Sequence, residues 1–81
     1  MYEHISEPIE VMVAFRKQRA EPLVFKWANR YYQIKKVHLV HTERQGREKK
    51  YIFSVSDEAN AYRLMFSSES LQWTIEEIAT L

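Results

Sequence analysis

Apolar and polar residues alternate along most of this chain with a period of two. From Pro8 onward, Ile9, Val11, Val13 and Phe15 fall on one face of an extended segment, with Glu10, Met12 and Ala14 on the other. Alternation with β-branched residues predicts a half-buried strand, whereas a helix would repeat its apolar positions every three to four residues. Arg16 to Pro22 is a charged turn without apolar anchors. Leu23, Phe25 and Trp27 form the next alternating set, and Pro22 fits the first position of that strand, where a missing N–H does least harm. Ala28-Asn29-Arg30 predicts a tight hairpin, because Asn tolerates left-handed backbone. Beyond it, Tyr32 and Ile34 share a face, but Val37 and Leu39 lie three and five residues past Ile34. One extra residue at Lys35-Lys36 restores both faces, which predicts a β-bulge and a bend.

The second half of the chain repeats the pattern. Gln45-Gly46 contains the only glycine, which predicts a hairpin turn with positive φ. Tyr51, Phe53 and Val55 alternate, then Ser56–Asn60 forms a turn rich in residues that bond their own backbone. Tyr62, Leu64 and Phe66 alternate again before a turn at Ser67–Ser70. In the last segment, Leu71, Ile75 and Ile78 have helical spacing with Ser70 as a possible N-cap, while Leu71, Trp73 and Ile75 suit a strand. A helix would turn Trp73 away from the apolar stripe. The pattern therefore predicts a strand over this segment that ends in a helical turn.

Together these segments predict an all-β fold, a small antiparallel meander of five or six strands curled into a barrel or strongly bent sheet. The expected layout is an N-terminal arm over residues 1–7 and a single β domain over residues 8–79. The expected core comprises Ile9, Val11, Val13, Phe15, Leu23, Phe25, Trp27, Tyr32, Ile34, Val37, Leu39, Tyr51, Phe53, Val55, Tyr62, Leu64, Phe66, Leu71, Trp73 and Ile75.

Composition narrows the function. Eighty-one residues make one domain, and 46% hydrophobic content is too apolar for disorder. There is no cysteine, which excludes disulfides, thiolate metal sites and Cys nucleophiles and favours the cytoplasm. No apolar run approaches the ~20 residues of a membrane helix, so no membrane role is expected. No glycine-rich phosphate loop, nucleophile elbow or spaced carboxylate pair is present, which argues against an enzyme and implies no cofactor. Glu76 and Glu77 are adjacent, so in a strand they point apart. His38 and His41, three apart in a strand, also face opposite ways, and zinc needs three or four ligands.

Charge adds a candidate surface. Net charge is only +1, but Arg16 to Lys50 holds eleven basic and three acidic residues, or +8, with the balance on the flanking segments. Arg16, Lys17 and Arg19 lie in one turn, Lys35 and Lys36 at the bulge, and Arg44, Arg47, Lys49 and Lys50 around Gly46. If these loops cluster they would grip the phosphates of a nucleic acid, with Tyr31 as an exposed ring able to stack on a base. If they do not, the bases offset acids on paired strands and keep the edges soluble. Phe25, Trp27 and Tyr32 are more simply core rings than a base-stacking platform, and Arg30 is expected over a ring or beside Glu10.

The residues Glu7 to Val11, Pro22 to Val37, and the later Tyr51–Val55, Tyr62–Leu64 and Trp73 resemble a family of small bacterial proteins known only as a domain of unknown function. Its pattern is Pro-Ile-x-Val followed by Pro-x-x-Phe-x-Trp-x-x-Arg-x-Tyr-x-Ile/Val-x-x-Val, matched here by Phe25, Trp27, Arg30, Tyr32, Ile34 and Val37. Where that family carries further aromatics, this chain has His38 and His41. Some members are encoded near, or fused to, relatives of lesion-bypass DNA polymerases. The resemblance implies a β-rich fold and a loose link to DNA repair, and no known activity. The expected function is a non-enzymatic module that binds nucleic acid as a repair accessory through its basic loops. The alternative is a protein-interaction or homodimerising module that uses an open strand edge or exposed Met12, Tyr31 and Met65.

Overall fold

The computed structural model describes residues 2–81. Alternation is realised as seven strands: β1 (Tyr2–Arg16), β2 (Arg19–Trp27), β3 (Arg30–Gln33), β4 (Lys36–Gln45), β5 (Glu48–Ser56), β6 (Asn60–Ser67) and β7 (Trp73–Thr80). They form one antiparallel sheet in the order β3-β2-β1-β7-β6-β5-β4, strongly bent and not closed into a barrel. Among the described residues there is no helix long and apolar enough to cross a membrane.

The bend comes from β1. Tyr2 to Ile9 pairs with β7, and Glu10 to Arg16 pairs with β2, so one long strand serves two halves of the sheet. The two halves fold over a core of Ile9, Phe25, Phe53, Val55, Tyr62, Leu64 and Ile75. Phe25 stacks on Tyr32 at 5.0 Å and meets the edge of Tyr62 at 5.0 Å, joining the β2–β3 hairpin to β6. Trp73 makes a second aromatic group with Phe53 at 5.3 Å and Phe66 at 5.2 Å.

Several expectations need correction. The expected arm is strand over its described part, because Tyr2 to Glu7 pairs with β7. A bulge there sets Ile5 and Ser6 against Glu76, and Ser6 takes a left-handed backbone with φ 56°. That puts Ile5 against the core, a role the Ile5-Ser6-Glu7-Pro8 sequence does not advertise. The expected bulge at Lys35-Lys36 is a full break. Ile34 and Lys35 leave the ladder, so one expected strand becomes β3 and β4. A register shift follows at His38, after which Leu39 lies opposite Ser54 and Val40 opposite Phe53. Leu39 is consequently turned to the outer face and 63% exposed. Phe15 keeps its alternation but sits at the overhanging β1–β2 tip, opposite Ala20, and is 83% exposed.

The C-terminal segment is strand from Trp73 to Thr80, without the expected terminal helical turn. One i→i−4 bond does form, but earlier, from the Leu71 amide to the Ser67 carbonyl at 2.9 Å. That turn leaves Leu71 exposed and left-handed instead of in the core. Ile75 and Ile78 reach the inside because a register shift near Glu76 resets the alternation between them. The same shift overturns the expectation that Glu76 and Glu77 point apart, because an unmatched Glu76 leaves both on the outer face: Glu77 takes Arg63 at 3.1 Å, while Glu76 accepts hydroxyls from Thr74 and Ser6.

Candidate functional site

The two edge strands of this sheet are consecutive in the chain. β3 ends one edge, β4 begins the other, and Ile34-Lys35 spans between them. The Ile34 amide still bonds the Leu23 carbonyl at 2.9 Å, and the very next amide, of Lys35, bonds the Ser56 carbonyl at 2.9 Å. The chain therefore crosses from one half of the sheet to the other within a single residue step. This corner pins the edges together at one point and lets them diverge on either side.

On one side the gap is filled. Tyr32 packs on Phe25 and on Tyr62 at 6.0 Å. The Tyr62 hydroxyl donates to Asp57 Oδ2 at 2.7 Å, and Asp57 Oδ1 accepts the Ala59 and Asn60 amides at 2.8 Å each. Burial, reinforced by the Asp57 carboxylate, pushes the Tyr62 phenol up to about 12. Burial works against the Asp57 charge, but the bonds from Tyr62 and from the Asn60 and Ala59 amides outweigh it, and the carboxyl titrates below its ordinary value.

On the other side the gap is open. β3 pairs with β2 only from Val24 to Trp27, so among the described residues Arg19 to Pro22 has no strand on its outer side. Among the described residues, β4 has no strand neighbour other than β5 along its ten residues. Between these edges lies a cleft of about 480 Å³, lined by Arg19–Leu23 and Ile34–Val40. Its floor is aliphatic, from Pro22, Leu23, Ile34 and Val37. Its rim carries Arg19, Lys35, Lys36 and His38, and its one acid is Glu21. Glu21 already lies 3.7 Å from Arg19 and 3.9 Å from Arg16.

The candidate basic residues thus divide. Arg19, Lys35 and Lys36 meet at the cleft, with Arg16 one hairpin position away. Lys17 is at the exposed tip of the same hairpin, where Lys17 and Gln18 both take left-handed backbone. Arg44 lies at the far end of β4, Arg47 in the turn that follows and Lys49 and Lys50 in β5, and none lines the cleft. There Lys49 lies over Tyr51 at 5.1 Å, Lys50 is 3.8 Å from Glu48, and Glu43 is the cross-strand neighbour of Lys50. Tyr31 is exposed, but on the outer face of β3 beside Met12 and Val24, with Lys26 over its ring at 5.6 Å. The ten candidates therefore do not form one surface. Met12 and Tyr31 are exposed, whereas Met65 is half-buried between Ile52 and Thr74.

Arg30 makes neither expected contact. It sits at the β2–β3 turn opposite Trp27, while Lys26 is the cross-strand neighbour of Glu10. Trp27 instead donates its indole N–H to Glu7 Oε1 at 2.9 Å.

Sequence reasoning missed the cleft and the role of Ser56. Ser56 is buried, and its Oγ lies 2.7 Å from His38 Nε2. A serine beside an imidazole invites a nucleophilic reading. Ser56 does not line the cleft, however, and among the described residues no carboxylate orients the other ring nitrogen. The pair instead acts as a clasp that ties the His38 bulge to β5. The signal for the cleft was the break at Ile34-Lys35, which the alternation registers only as a slip. Among the described residues no three metal-ligating side chains converge.

No family model, curated protein or solved structure matches the chain.

Proposed function

We propose that this domain is a non-enzymatic binding module that meets a protein partner at its open sheet edge. The observation that carries this reading is the ten-residue β4 edge lying beside the unpaired start of β2. Unpaired strand edges offer rows of main-chain donors and acceptors that an incoming strand can satisfy. A cysteine-free chain and the resemblance to a bacterial family fit a cytoplasmic bacterial protein. A photo-crosslinking benzoylphenylalanine placed at Leu39, in cells, tests the reading. Protein adducts are expected at Leu39 and not at Glu69 in the β6–β7 turn. Absence of any protein adduct at Leu39 overturns it.

A second reading is favoured by one observation, the convergence of Arg19, Lys35 and Lys36 with Arg16 and Lys17 nearby. In it the same side grips phosphates as a nucleic-acid or repair accessory module, as the resemblance implies. Titration with single-stranded and duplex DNA at low and moderate salt tests it. Affinity should fall steeply with salt, and no binding at low salt overturns it.

A further inference from the structure

We infer that the cleft between β2 and β4 is a receptor for one extended, acidic strand of another protein, apolar at every second residue. This rests on the edge-binding reading above and names its occupant. Four features of the cleft lead to it.

First, both walls are strand edges. Arg19–Pro22 and Lys36–Val40 expose main-chain groups without a pairing strand, so the cleft is shaped to be completed by a strand. The five lining residues of β4 set its length, roughly 16 Å at ~3.3 Å per residue. Second, the floor of Leu23, Ile34 and Val37 is aliphatic, which suits the inward side chains of an alternating peptide. Third, the rim is basic. Arg19, Lys35 and Lys36 oppose one acid, Glu21, that Arg16 and Arg19 already flank. A partner with acids at its outward positions complements that rim, whereas a second β4 edge would bring Lys36 and Arg44 of its own. The chain's own acidic strands are not free to occupy it, since β7 pairs on both sides and the first half of β1 pairs with β7. Fourth, among the described residues no aromatic ring lines the cleft other than the His38 imidazole. Unpaired bases are bound by stacking on such rings, so a peptide suits the site better than a nucleic acid strand.

The test uses the intact chain and an acetylated octapeptide alternating Glu with Val, Leu or Ile. Its controls are the same peptide with Lys for Glu and the same peptide N-methylated along one edge. Binding is measured at low salt, and amide hydrogen exchange locates the site. The acidic peptide should bind and slow exchange in Arg19–Leu23 and Lys36–Val40. The Lys peptide and the N-methylated peptide should each bind at least tenfold more weakly. The exposed double variant Lys35→Glu with Lys36→Glu should weaken the acidic peptide at least tenfold while keeping the native exchange pattern elsewhere. The proposal is overturned if the acidic peptide does not bind, if the Lys or N-methylated peptide binds as well, or if protection maps to the Met12–Tyr31 face. It is also overturned if a twelve-residue oligothymidylate binds the same two segments more tightly than the peptide. If any of these occurs while Leu39 still yields protein adducts in cells, the edge reading stands and only the chemistry of the occupant is wrong.

Discussion

The two sides of the Ile34–Lys35 corner start from the same event and end differently. On one side, Phe25, Tyr32 and Tyr62 fill the angle between the halves of the sheet, and Asp57 fastens the phenol at the back. On the other, Arg19–Leu23 and Lys36–Val40 face each other across a cleft. Large rings that reach across a bend hold it by burial and edge-to-face contact. Where the chain supplies aliphatic residues and charged ones instead, the bend gapes. The register shift at His38 adds to this by sending Leu39 outward instead of into the angle. One corner thus supplies both the anchor of the fold and its open edge.

Four measurements break or sharpen that contrast. The largest effect is expected from Phe25→Ala, which empties the filled side. Phe25 is 1% exposed and contacts both tyrosines, so about 3–5 kcal/mol should be lost in urea unfolding. A domain this small would be largely unfolded by such a loss.

Next comes alkaline pH. The Tyr62 phenol titrates near 12 when folded, against 10 for an ordinary tyrosine. Its folded value is raised, so its contribution is fully present below pH 10 and is lost as pH rises towards 12. Linkage converts two units into a fall of about 2–3 kcal/mol over that window. Urea titrations at several pH values should show the fall in the native protein, and Tyr62→Phe should remove that portion of it. Asp57 gives the mirror image at low pH. Its folded value is lowered, so its contribution is present above the ordinary carboxyl value and is lost as pH falls through the folded one.

A smaller effect tests the clasp at the boundary. Ser56→Ala removes the hydroxyl 2.7 Å from His38 Nε2 and should cost about 1 kcal/mol. Amide exchange in Val37–Leu39 should quicken more than in β6. The smallest effect belongs to the open side. Leu39→Ala should change stability by no more than about 0.5 kcal/mol, because Leu39 already meets solvent. A loss above 2 kcal/mol there would mean that the cleft side is packed, and the contrast would fail.

Much of the fold was legible in the residues. Phe25, Phe53, Val55, Tyr62, Leu64 and Ile75 were expected in the core, and all are buried. Gly46 was expected to turn left-handed, and it does so with φ 57°. The failures have one kind of cause. Phe15 obeys its alternation but lies past the end of the layer that would cover it. Leu39 and Leu71 stand just after a register shift and a turn that local pattern does not locate. The Lys17-Gln18 turn carries neither Gly nor Asn, and its left-handed backbone is imposed by the strands it joins. Of the candidate site, only Arg19, Lys35 and Lys36 line the cleft, because a list of basic residues carries no information about which loops a bent sheet brings together.

What the sequence determined alone was the alternation, and with it antiparallel strands, a ring-rich interior and charged connections. Side-chain period is a local property, fixed by the pleat itself. The tertiary structure decided that β1 serves two halves, that β3 and β4 become opposite edges, and that a cleft opens where they part. Those are consequences of register and curvature. Register is set by which distant strands pair, and a single unmatched residue at Ser6, Leu23 or His38 is enough to change it.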